Sequence, residues 1–370
     1  MKTLVYKILN DRTLWVTTVL LILTLFVGHI QLNDIDIQTI LSLLSLMILI
    51  SLYEGEGLPK YVALTIIKKC QTTRQVQLTI FLLVFFSAMF LTNDVAIITF
   101  IPIFVVIAQK IHINAVLPII LLTVFANLGS AVTPFGNPQN IYLASHYQLQ
   151  IGDFFQMSWP LGLISFLFVL LSSLFFRSSN LELEQLTLDL PTIRPKQTKL
   201  LIAGSFFVLA GLLHLLPIMV SIVVSILLTL VINKKRFLQV DYGIIILFVE
   251  LFLIVGVLSR IPMVVSLFEG LTTTDNGSFI SGVVLSQFIS NVPAAVLLSA
   301  FTSRVNAVYL GVSIGGLGTI VASLANLLAW RQYQRQIGEV NYSFPLKLMV
   351  INLLLLVIFI ALGFVILKIA

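Results

Sequence analysis

A chain of 370 residues with 59% hydrophobic and only 10% charged residues cannot clothe a water-facing surface. A mean hydropathy of +1.09, spread over the whole length, excludes a soluble enzyme carrying one anchor. The net charge of +6 does not point to nucleic acid, because Lys and Arg sit in short clusters between apolar runs, and the single cysteine, Cys70, excludes an internal disulfide. An all-α polytopic membrane protein, in contact with the lipid bilayer, is expected.

In chain order, the basic stretch Met1 to Arg12 precedes an apolar run with no convincing cleavage site, so it reads as the lead-in to a first membrane helix. A spanning helix needs about 20 apolar residues. Nine segments qualify: 14–30, 35–52, 114–147 (interrupted), 160–176, 200–217, 218–232, 242–258, 305–330 (interrupted) and 345–367. Two further apolar stretches, 76–109 and 278–303, are broken by Thr92-Asn93-Asp94 and by Ser290-Asn291-Val292-Pro293. Each half of these is short for a crossing, so each stretch is expected to be a re-entrant helical hairpin whose tip is protected by protein.

With a cytoplasmic amino terminus, nine crossings and two hairpins, all of the 21 Lys and Arg except Arg260, Arg304 and Lys368 fall inside. The carboxyl terminus is then external and the hairpin mouths lie on opposite faces. That opposition predicts two inverted-topology repeats, residues 1–176 and 218–370, joined by a cytoplasmic linker and connector helix over 177–217. The repeats echo in sequence: Leu128-Gly129-Ser130 with Asn140 eleven residues after Gly129, against Leu317-Gly318-Thr319 with Asn326 eight residues after Gly318. This alignment leaves the two spacings three residues apart. A cell (inner) membrane location follows.

Asp94 and Glu250 are the carboxylates inside apolar segments, where a charge is costly, which marks both as candidates for a proton or coupling-ion site. Asp94 is also placed to cap the second hairpin helix. In Asn127 to Asn140, two prolines and two glycines open the helix among Gly129, Ser130, Thr133, Asn137 and Asn140, exposing carbonyls for a cation and N–H groups for an anion. The second interruption, with Gly318 and Thr319, is milder. The four histidines have no metal spacing and no H-E-x-x-H occurs, so neither an enzyme nor a cofactor is expected, and no metal beyond sodium.

Phe86 to Ala96, Gly129 to Asn140 and Ser290-Asn291-Val292-Pro293-Ala294 resemble the citrate carrier, arsenite permease and sodium-proton antiporter group of the ion transporter superfamily. The resemblance covers essentially the whole chain. It implies a fold similar to the divalent anion-sodium symporters, in which hairpin tips and adjoining unwound helices hold sodium and a carboxylate while a transport domain slides, as an elevator, past a dimeric scaffold. By position, Thr92, Asn93 and Asp94 match the first tip and Ser290, Asn291 and Val292 the second. Asp94 and Val292 stand where those symporters carry threonine, which removes a hydroxyl from each tip and adds a charge to one.

The expected substrate-binding set is therefore Asn93, Thr133, Asn137, Asn140, Ser290, Asn291 and Thr319. The expected coupling-ion set is Thr92, Asn93, Asp94, Gly129, Ser130, Ser290, Asn291 and Gly318. An anion site without a basic residue must use helix N-termini, amides, hydroxyls and bound cations, so anion transport here implies sodium or proton coupling. The resulting expectation is a cation-coupled anion or oxyanion permease, a homodimer, with sodium-proton antiport and arsenite or antimonite efflux as alternatives.

Overall fold

The structure, a computed structural model, describes residues 12–181, 189–337 and 343–369. The basic amino terminus and part of the polar linker, with Glu182 and Glu184, lie outside the described residues. Seventeen α-helices run through the described residues. They are α1 (Arg12–Thr24), α2 (Ile37–Gly55), α3 (Leu58–Ile67), α4 (Thr73–Leu91), α5 (Asn93–Lys110), α6 (Val116–Ser130), α7 (Pro138–His146), α8 (Ile151–Ser172), α9 (Pro195–Leu212) and α10 (Ile218–Ile232). The rest are α11 (Tyr242–Leu258), α12 (Pro262–Leu271), α13 (Asp275–Ile289), α14 (Asn291–Ser299), α15 (Val305–Gly315), α16 (Leu324–Ile337) and α17 (Ser343–Ile369). The chain is an all-helical polytopic membrane protein.

Two of the expected crossings, 218–232 and 242–258, coincide with α10 and α11. Segment 160–176 is corrected: α8 begins at Ile151, where Gln150 and Asp153 form a capping box. Both expected helix interruptions are present, between α6 and α7 and between α15 and α16. Two short helices, α3 and α12, were not expected. Each has ten residues and a proline in its first turn, too short to register as a span but well started, because proline's fixed φ suits the first helical positions. The α11 axis turns by 101° into α12.

Helix length also corrects the argument for short hairpin halves. In the first pair, α4 and α5 have 19 and 18 residues, and each is long and apolar enough to cross. In the second pair, α13 and α14 have 15 and 9 residues. That second pair folds back on itself. Asp275 at its start is ion-paired with Arg304 just past its end at 2.8 Å, and Phe268 stacks on Phe301 with ring centroids 4.9 Å apart. By length and composition five described helices could cross a membrane, or six if the bent α11–α12 pair is one span; two of the five are α4 and α5, so of the nine expected crossings only α2, α8 and α17 qualify by themselves. The others fall short because α1, α10, α11 and the broken helices are short in regular helix, while α9 begins in the polar run Pro195 to Lys199.

The core lies where α4 and α5 meet α6, where α13 and α14 meet α15, and where α16 runs against α5. Phe81, Phe85, Phe100, Phe104, Phe125 and Phe279 are fully enclosed there. Close approach needs glycine: a Cβ on Gly129 in α6 would collide with the backbone carbonyl of Phe85 in α4.

Candidate functional site

The two helix pairs are each broken by one residue in an unusual conformation. Thr92, between α4 and α5, has φ 70° and ψ 154°, and Ser290, between α13 and α14, has φ 74° and ψ 154°. This region of backbone space is almost confined to glycine and costs on the order of 1–3 kcal/mol for another residue. A side-chain-bearing residue holds it at both tips.

Each tip is tied to an unwound segment by the same bonds. The Thr133 hydroxyl donates to the carbonyl of Met89, three residues before the first tip, at 2.6 Å. The Thr319 hydroxyl donates to the carbonyl of Gln287, three residues before the second tip, at 3.0 Å. Asn140 Nδ2 donates to the carbonyls of Ser130 and Thr133, ten and seven residues back, at 3.2 and 2.9 Å. Asn326 Nδ2 donates to those of Gly316 and Thr319, again ten and seven residues back, at 3.1 and 2.9 Å. The alignment of Gly129 with Gly318 is therefore corrected. Ser130 corresponds to Gly316, Thr133 to Thr319 and Asn140 to Asn326, with equal spacing, because hydrogen bonding rather than glycine identity sets the match.

Around this frame the halves differ. In the first, Asn137 caps α7, accepting from the Asn140 N–H at 2.9 Å while its amide donates to Ser130 Oγ at 3.0 Å. In the second, the amide nitrogen of Asn291 lies against Gly316, where a Cβ would come within 2.9 Å of it, and the Asn291 N–H donates to the Ala322 carbonyl at 3.0 Å. The Ser290 hydroxyl donates to Asn291 Oδ1 at 3.5 Å. Gln287, absent from the expected set, grips the second unwound segment. Its amide donates to the carbonyls of Gly315 and Leu317 at 2.8 and 3.1 Å, and its Oε1 accepts from the Thr319 N–H at 3.0 Å. Gly318, at φ 106°, lets the chain pass around that side chain.

A second unexpected residue joins the halves. Asn127 accepts from Asn93 Nδ2 at 3.0 Å and from the Ser323 hydroxyl at 2.8 Å, and donates to Asn326 Oδ1 at 3.1 Å. The Tyr309 hydroxyl adds a bond from α15 to the carbonyl of Ala131 at 2.8 Å. Asn93, Asn127, Asn291 and Asn326 are all buried. The only signal for Asn127 and Gln287 in sequence is an amide inside an apolar run, which does not reveal its partner.

Asp94 does not cap α5. Its backbone N–H donates to Asn93 Oδ1 at 3.0 Å, while its own Oδ1 is buried without a hydrogen-bond partner. With Oδ1 buried and unpartnered, the carboxylate can take up a proton or cation, which the cost of burying a charge favours and the partial positive charge of the α5 N-terminus opposes. Asn140 Oδ1 is likewise buried and unpartnered beside the first opened helix. Glu250 sits elsewhere: both of its carboxylate oxygens accept from hydroxyls on α1, one from Thr17 and one from Thr18 at 2.6 Å, so it bonds α11 to α1. Among the described residues no cluster of His, Cys, Asp and Glu could hold a metal ion.

Paired strained tips, opened helices and buried amides within an all-helical membrane fold fit a transporter, and the family that the chain matches is one of transporters. Residues 4–307 match the citrate transporter family CitMHS, and the chain belongs to that family. It is 30% identical over 302 residues to the uncharacterized transporter MJ0456 of Methanocaldococcus jannaschii, covering 80% of this chain and 81% of that one. It is 27% identical over 299 residues to the inner membrane protein YbiR of Escherichia coli, covering 80% of each. Its fold is similar to that of the Alcanivorax borkumensis YdaH transporter, with a TM-score of 0.55 and 13% identity over 96% of both chains.

Proposed function

We propose that the chain is a secondary active transporter that moves a small inorganic or carboxylate anion together with a sodium ion or a proton, using two inverted repeats in an elevator-type cycle, as a homodimer. The observation that carries this reading is the unpartnered Asp94 carboxylate beside the strained first tip, where an anion could approach only after a cation had neutralised it. The matched bonds of the two tips support the repeat. Thr92, Asn93, Asp94, Gly129 and Ser130 would hold the cation on one side and Ser290, Asn291 and Gly318 on the other; of the expected anion set the Thr133 and Thr319 hydroxyls and the Asn93, Asn137 and Asn140 amides already donate within the protein, so Asn291 and the backbone N–H groups of the tips would meet the anion. Membership of a citrate transporter family makes tri- and dicarboxylates the first substrates to examine.

The test is uptake into proteoliposomes of citrate, smaller carboxylates, phosphate and arsenite under imposed sodium or proton gradients. Accumulation of one anion above its external concentration, dependent on one gradient, is the expected result. Dissipation of anion gradients without accumulation would make the chain a channel and end the proposal. Sodium-proton antiport is the second reading, favoured by the same free carboxylate. It predicts sodium-driven proton movement with no transported anion present. For the repeat, Gln75→Cys should be protected from an external impermeant label and Asn276→Cys accessible in a Cys70→Ser background; both positions are exposed on the protein. Labelling of both from one side would remove the inverted arrangement.

A further inference from the structure

A cavity of about 630 Å³ lies outside the tips, walled by α2, α3, α9 and the first helix pair. It follows α4 from Thr79 through Ser87 to Leu91, twelve residues and hence about 18 Å at 1.5 Å per residue. That is close to half of a hydrocarbon core of about 30 Å. The wall is almost wholly apolar, and two of its hydroxyls, Tyr53 and Ser205, bond each other at 2.8 Å and so ask nothing of an occupant. Val62, Ile66, Phe86 and Phe90 line it and are exposed, so the cavity opens on the apolar outer surface of a membrane protein rather than on a water-filled vestibule.

One end of this cavity is marked by charge. Cys70 Sγ lies 3.4 Å from the Thr79 hydroxyl, which fixes the end of α3 at the rim. The exposed residues Lys68 and Lys69 immediately precede it, one turn beyond Ile66. A slot of one-leaflet length, apolar along its walls and basic at one end, has the shape and polarity of a phospholipid. A water-soluble anion would find only the lone Ser87 hydroxyl and three already bonded hydroxyls along it, and a neutral apolar molecule would make no use of the lysines. We propose that this cavity binds an anionic phospholipid, with one acyl chain along α4 and the phosphate at Lys68 and Lys69. The chain end then reaches Leu91, next to the Thr92 tip, so the lipid supports the first helix pair up to its break. This inference stands apart from the substrate reading, because its readout is lipid retention.

The experiment is native mass spectrometry of the purified full chain in detergent, with phosphatidylglycerol or phosphatidylcholine of the same acyl chains added. The wild type should retain phosphatidylglycerol about thirtyfold better, at roughly fivefold for each lysine. Lys68→Gln with Lys69→Gln should reduce it to the phosphatidylcholine level, and Ser87→Trp, which fills the slot, should abolish retention of both. Val62→Trp, at the exposed mouth, serves the same purpose without altering packed core. Equal retention of the two lipids by the wild type would overturn the proposal, as would undiminished retention by Val62→Trp. A Val62→Trp variant that keeps its lipid but breaks into smaller oligomers would assign the groove to a second copy of the chain instead.

Discussion

The first and second tip regions share a backbone and differ in chemistry. Thr92 and Ser290 adopt the same strained conformation, and Thr133 and Thr319 anchor the same carbonyls three residues before each tip. Beyond that frame the first region carries a free carboxylate at Asp94, where the second carries Val292. The second carries Gln287, knotted into the unwound backbone, where the first carries Met89. The comparison teaches that the frame is a device for opening two helices, and that the side chains decorating it differ: an unpartnered carboxylate oxygen in the first region, a backbone held by an amide in the second.

Asp94→Asn should have the largest effect, loss of gradient-driven accumulation with the protein still folded and inserted. The amide keeps the shape and loses the charge, and no hydrogen bond of the Asp94 Oδ1 atom is sacrificed. Wild-type accumulation with unchanged ion dependence, measured in proteoliposomes, would erase the division between the regions.

Asn291→Ala should raise the half-saturation constant roughly ten- to a hundredfold, the equivalent of about 1.5–3 kcal/mol for a hydrogen bond to a charged partner. Asn93→Ala should act more on stability, since that amide already serves Asn127 and the Asp94 N–H. Equal shifts in half-saturation, from uptake kinetics, would show the two asparagines to be functionally equivalent.

Asn127→Ala should lower stability by about 3 kcal/mol or more, because Asn93, Ser323 and Asn326 each lose a buried partner at about 1–3 kcal/mol apiece. Ser313→Ala, at the matching position, should cost far less, as the Ser313 hydroxyl oxygen has no hydrogen-bond partner. Thermal unfolding in detergent compares them, and similar losses would deny Asn127 its role as the link between halves.

The smallest effects belong to the shared frame. Thr133→Val removes one hydroxyl bond and Thr319→Val two, because Thr319 Oγ1 also accepts from the Ala322 N–H at 3.2 Å, so losses of about 1 and about 2 kcal/mol are expected. A difference well beyond 1 kcal/mol in the same unfolding assay would mean that the two anchors are not equivalent.

Much of this was legible in the chain because lipid leaves few choices. Apolar runs must be helical there, since unsatisfied backbone groups are costly, so α10 and α11 could be read to the residue. Prolines with glycines marked the first helix interruption and glycines the second, and polar breaks at Asn93 and Asn291 marked both tips. The carboxylate of Asp94 announced itself by the cost of burying it. What stayed hidden was short or relational. The ten-residue helices α3 and α12 carry too little apolar length to stand out, and the lengths of α4 and α5 depend on packing that a window of hydropathy does not measure.

Tertiary structure alone decided the partners. Composition places an asparagine at 127 and a glutamine at 287, but only folding brings Asn127 to Asn93 and Asn326, 34 and 199 residues away, and Gln287 to backbone about 30 residues on. It also separated the two intramembrane carboxylates, giving Glu250 two hydroxyls on α1 and leaving Asp94 Oδ1 with none. The physical reason is that burial cost is a property of a residue in its segment, and so can be read along the chain, whereas hydrogen-bond satisfaction is a property of a pair and exists only once distant segments meet.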